Sequence, residues 1–139
     1  MTQVFRSGEL WGVNRRLLVD DQQHGKFVPA LPFEATIARS LREYCKFLSE
    51  KLETPPPYDI IAGVVGLAGF RIAFTDWTSG WYGPLHDNEF SSEFVLSEVT
   101  EQALSALTAK ISDGLFYLSG YPRPAGQFGL QVSAAELSE

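Results

Sequence analysis

The sequence predicts an α+β domain, a mainly antiparallel sheet of about four strands with two amphipathic helices on one face, in the order β-α-β-β-β-α. Three observations predict it. Apolar residues recur at steps of three and four from Phe33 to Leu52 and again from Leu104 to Leu118, while alternating or β-branched segments precede and separate these two runs. Residues 1–122 read as one domain, and 123–139 as a flexible tail or an edge strand.

The first strand is expected between Glu9 and Val19, where Trp11, Val13, Leu17 and Val19 share one parity against Asn14 and Arg16. The polar run Asp20 to Lys26 reads as a loop. Pro32 suits the first turn of a helix and Glu34 the positive end of its dipole. Phe33, Ile37, Leu41, Tyr44, Cys45, Leu48 and Leu52 form its apolar face, with Leu41 and Leu48 expected in the core. Glu34, Glu43 and Glu50 alternate with cations and read as a solvated face, and Pro55-Pro56-Pro57 stops the helix.

Ile60, Ile61, Val64 and Val65 read as a strand buried on both faces, and Phe70, Ile72 and Phe74 as its hairpin partner across Gly66-Leu67-Ala68-Gly69. A bulge at Gly63 and Gly66 is an alternative. Asp76 to Phe90 has no period and reads as a loop, followed by a strand over Ser92 to Val99. Thr100 is the expected N-cap of the second helix, Gly114 weakens its middle, and Gly120 with Pro122 ends it. Phe128, Leu130 and Val132 in the tail alternate as an edge strand would.

Composition narrows the function. The net charge of −6 disfavours the counterion release that drives binding to phosphate backbones, although Arg6, Arg15, Arg16, Arg39 and Arg42 concentrate in the first third. A single cysteine forms no internal disulfide, and Met1 to Glu9 carries no apolar leader core, so a cytoplasmic location is expected. No run is long and apolar enough to suggest a membrane span.

The aromatic loop is the most distinctive surface. Trp77, Trp81, Tyr82 and His86 are the candidate ligand- or partner-binding residues, because large aromatics in a glycine-rich segment supply contact area. The alternative is a lid folded back over a sheet edge. His86, Asp87 and Glu89 match no metal-ligand spacing, Gly63, Gly66 and Gly69 precede a strand rather than a phosphate-binding helix, and Cys45 lies on an apolar face. No catalytic residue, metal site or cofactor is assigned.

Several motifs carry a resemblance. Arg6-Ser7-Gly8-Glu9-Leu10-Trp11-Gly12-Val13-Asn14, Val28-Pro29-Ala30 before a long helix, Pro56-Pro57, the segment Ile60 to Phe74, and Asp113-Gly114-Leu115-Phe116-Tyr117 with Gly120-Tyr121-Pro122-Arg123 are similar to the C-terminal region of certain bacterial DNA-binding proteins. Those proteins carry an N-terminal Alba-like, Schlafen-type, ATP-binding domain and occur in regulatory or defence contexts. The resemblance implies a noncatalytic accessory module for partner or ligand recognition or self-association. The nucleotide and nucleic-acid residues of such proteins lie in the upstream domain, so none transfers to this chain, and the aromatics of Trp77 to His86 match nothing in the shared pattern. A small enzyme with a pocket built from loop 76–90, or a nucleic-acid-binding module, are the other readings.

With this charge balance, a duplex-DNA anisotropy titration at physiological salt is expected to give a dissociation constant weaker than about 1 µM. Tighter, salt-sensitive binding would return the arginine cluster to first rank.

Overall fold

A computed structural model describes residues 2–4, 10–14, 17–23, 25–73 and 81–120. The class is α+β. Its elements are β1 (Thr2–Val4), β2 (Leu10–Gly12), β3 (Val19–Asp21), β4 (Gly25–Pro29), α1 (Ala30–Glu50), β5 (Tyr58–Val64), β6 (Arg71–Ala73), β7 (Trp81–Tyr82), β8 (Phe90–Leu96) and α2 (Glu101–Ser119).

The strands form three small sheets. β1 pairs antiparallel with β2. A four-stranded sheet has the order β3-β4-β6-β7, with β4 and β6 parallel and the other pairs antiparallel. β5 and β8 make an antiparallel ribbon in unbroken register from Tyr58 opposite Leu96 to Val64 opposite Phe90.

Two apolar clusters share the helix pair. Val28, Ala30, Phe33, Leu67, Phe70, Ile72, Leu85, Leu115, Phe116 and Leu118 pack beneath the four-stranded sheet. Leu41, Cys45, Tyr58, Leu96, Leu104, Leu107 and Ile111 pack beneath the ribbon. The N-terminal half of α1 therefore meets the C-terminal half of α2, and the reverse holds at the other end, so the helices run antiparallel. Ile37, two turns into α1, touches both clusters.

Helix ends follow local chemistry. Thr100 Oγ1 accepts from the Ala103 N–H at 3.0 Å, capping α2 as its sequence suggests. Gly120 ends α2 in the left-handed region at φ 82°, where a Cβ would be strained. α1 begins directly at the end of β4, at Ala30. This earlier start places Glu34 past the first turn, and its spacing to Ala38, Leu41 and Cys45 sets it on the buried face, where it is 0% exposed rather than solvated. A buried carboxylate demands polar or ionic company, and Glu34 is not without a partner.

Several strands differ from the sequence expectation. The first segment breaks into β2 and β3, and the polar run read as a loop divides: Asp20 and Asp21 lie in β3, Gln22 and Gln23 turn, and Gly25, at φ 77°, and Lys26 lie in β4. β5 and β6 do not pair with each other: β5 takes β8 and β6 takes β4 and β7. Gly63 sits opposite Ser91 with no bulge, and a Cβ there would come 2.3 Å from the Phe90 carbonyl oxygen, so this close strand approach needs glycine. Leu48 is half-buried, at the rim of the second cluster. The candidate edge strand at Phe128, Leu130 and Val132 lies outside the described residues.

Leu41→Ala is expected to cost about 2–5 kcal/mol and Phe116→Ala about 3–5 kcal/mol in urea unfolding, because each empties a site in a packed cluster. Leu48→Ala is expected to cost less than either.

Candidate interaction surface

Alternation along β5 and β8 divides the ribbon into two faces. Tyr58, Ile60, Ala62 and Val64 on β5, with Phe94 and Leu96 on β8, point toward the helices. Asp59, Ile61 and Gly63 face outward with Ser91, Glu93 and Val95. Ile61 is 73% exposed and Val95 66%, and Val65 just beyond the strand is 68% exposed. These residues correct the expectation of a strand buried on both faces: β5 has helices on one side alone among the described residues. Ile61 stands opposite Glu93, which places it on the diagonal to Val95, within reach on a pleated surface. Asp59 and Glu93 give the apolar spots a charged border.

The ribbon also borders a groove of about 490 Å³ between β8 and α2. Its wall runs in succession from Glu93 through Phe94, Val95 and Leu96 to Glu98, so the backbone edge of β8 lines it, and Ala103, Ala106, Leu107 and Lys110 of α2 form the other side. Among the described residues β8 pairs with β5 alone.

The aromatic segment is described only in part. Trp77 lies outside the described residues, and Trp81 and Tyr82 are placed as backbone in β7, opposite Ala73 and Ile72. Their strand assignment corrects the expectation of a continuous loop, since β7 closes the edge of the four-stranded sheet. His86 is exposed, and its N–H donates to the Leu118 carbonyl at 2.8 Å, holding the segment against the end of α2. His86 lines a shallow depression with Gly83, Pro84, Leu85, Ser119 and Gly120. The segment before β8 is further tied by Asn88, whose carbonyl and side-chain oxygens accept from the N–H groups of Leu67 at 2.7 Å and Ala68 at 3.0 Å.

The other candidate chemistry is dispersed. Among the described residues no three His, Cys, Asp or Glu side chains converge as a metal site, and no helix is long and apolar enough to cross a membrane. Of the five N-terminal arginines, Arg6, Arg15 and Arg16 lie outside the described residues, while Arg42 on α1 forms an ion pair with Glu101 at the start of α2. No family model, curated protein or solved structure matches the chain.

Burial pushes the Cys45 thiol pKa up, and burial together with nearby Cys45 pushes up that of Tyr58, whose hydroxyl donates to the Thr54 carbonyl at 2.6 Å. Both groups stay protonated longer in the folded chain than in the unfolded one. Their contribution to stability is complete below the ordinary range of each group and is lost as the pH rises through the raised folded values. Stability is therefore expected to decline above about pH 9. At pH 8 a disulfide reagent should label Cys45 roughly 100-fold more slowly in the folded chain than in denaturant. Equal rates would place the thiol at the surface.

Proposed function

We propose that this chain is a noncatalytic accessory domain that works through protein contacts, by self-association or by recognising a partner, within a bacterial regulatory or defence protein. The observation that carries the reading is the outer face of the β5–β8 ribbon, where Ile61, Val65 and Val95 expose β-branched side chains. Such residues pack well on a pleated surface, and an apolar patch with a polar border is a common form of docking site. The motif resemblance supports the regulatory or defence setting and the accessory role. The aromatic segment Trp77, Trp81, Tyr82 and His86 is proposed as a second contact region, supported by the exposure of His86. We expect no direct nucleic-acid binding by this chain alone, no membrane association and a cytoplasmic location.

Sedimentation equilibrium of the full chain tests self-association. The wild type is expected to shift from monomer to dimer between about 10 and 500 µM, a range suited to a weak, modest-sized interface. Ile61→Lys with Val95→Lys should abolish the shift and leave the melting temperature within a few degrees, since neither side chain is buried. Dimerisation unaffected by this pair would remove the ribbon face from the reading, and Trp81→Ala would then test the second region.

A further inference from the structure

We propose that the outward face of the β5–β8 ribbon docks an extended segment of another protein whose facing side chains alternate between cationic and apolar. Asp59 and Glu93 take the cations, and Ile61 and Val95 the apolar groups. The inference rests on the reading of this face as a docking site and adds the chemistry of its partner.

Register fixes the layout. Asp59 stands opposite Val95 and Ile61 opposite Glu93, with Gly63 opposite Ser91 in the next outward row. The apolar side chains therefore occupy one diagonal of the face and the carboxylates the other. Both strands carry the same order along the chain: Asp59-Ile60-Ile61 and Glu93-Phe94-Val95 each place an acid and an apolar residue outward on either side of a half-buried one. Asp59, Ile61, Glu93 and Val95 are all exposed, and Gly63 and Ser91 add little bulk beside them.

This charge has no complement nearby in the chain. Between Lys51 and Lys110 the sequence holds a single Lys or Arg, Arg71, which lies in β6 of the four-stranded sheet. Lys110 on α2 shares the groove with Glu93 and Val95 from the helix side. Among the described residues no ion pair joins Asp59 or Glu93 to a cation. A second copy docked through the same face brings carboxylates and apolar groups and no cation. Its carboxylates lose water without gaining a partner, which holds self-association through this face to the weak range expected above. Stacked sheets keep their strands nearly aligned, so a partner strand over β5 needs a cation at Asp59 and an apolar residue two positions along at Ile61. The same spacing serves Glu93 and Val95 on β8.

Anisotropy titrations of the full chain with labelled peptides test the assignment. One peptide repeats Lys-Thr-Val-Thr, which in extended form presents lysine and valine in turn on one face. Two controls repeat Glu-Thr-Val-Thr and Lys-Thr-Ser-Thr. The lysine–valine peptide is expected to bind about fivefold or more tightly than either control. Asp59→Asn with Glu93→Gln should weaken that binding about fivefold, and Ile61→Ser with Val95→Ser about tenfold. Both variants should keep the melting temperature within a few degrees, since all four side chains are exposed. Equal binding of the two lysine peptides would reduce the effect to attraction by the net charge of −6 and overturn the proposal. Unchanged affinity in the first variant, or no binding of the lysine–valine peptide, would overturn it too. Dependence on Ile61 and Val95 without dependence on Asp59 and Glu93 would defeat the cationic partner and leave the docking face standing.

Discussion

The architecture depends on one shared support, the antiparallel packing of α1 against α2. Each helix spends one part on the four-stranded sheet and the other on the ribbon, and Ile37 touches both clusters. The sheets need this arrangement because neither has helices of its own. Phe33 and Phe116 are fully buried beneath one sheet, and Leu41 and Leu107 bury most of their surface beneath the other. The Arg42–Glu101 ion pair ties the two helices at the ribbon end, on an exposed rim where such a pair contributes little beyond alignment.

The helices were legible because their signals are local. Apolar residues at helical spacing located both bodies, Thr100 and Gly120 fixed the ends of α2, and Leu41 fell where its spacing implied. Strand partners were not legible, because pairing depends on which edges meet in space. Nothing near Ile60 to Val64 indicates that its partner is Phe90 to Leu96 instead of the following strand. Glu34 resembles a solvated residue because it is a carboxylate on a helix rich in cations, yet its spacing to Ala38, Leu41 and Cys45 sets it on the buried face.

The candidate surface shows the same division. Ile61 and Val65 belong to a β-branched run whose composition suggests burial on both faces, yet the fold leaves one face open, so hydrophobicity pointed to the core and topology to the surface. The aromatic segment drew attention through composition, and of its four residues His86 alone has a described side chain, exposed at the end of α2.

The closure of the ribbon has a kinetic consequence. β5 and β8 are separated by β6, β7 and their connections, so their first pair cannot form as a local hairpin does, and closing that loop carries an entropic cost before any pairing compensates for it. The cost falls if the intervening strands have already docked, and Asn88 binding Leu67 and Ala68 brings the two approaches to the ribbon together at its base. On this argument the ribbon is expected to assemble after the larger sheet. The loss of that sheet would release the ribbon as well, making the two halves one cooperative unit in spite of their separate cores.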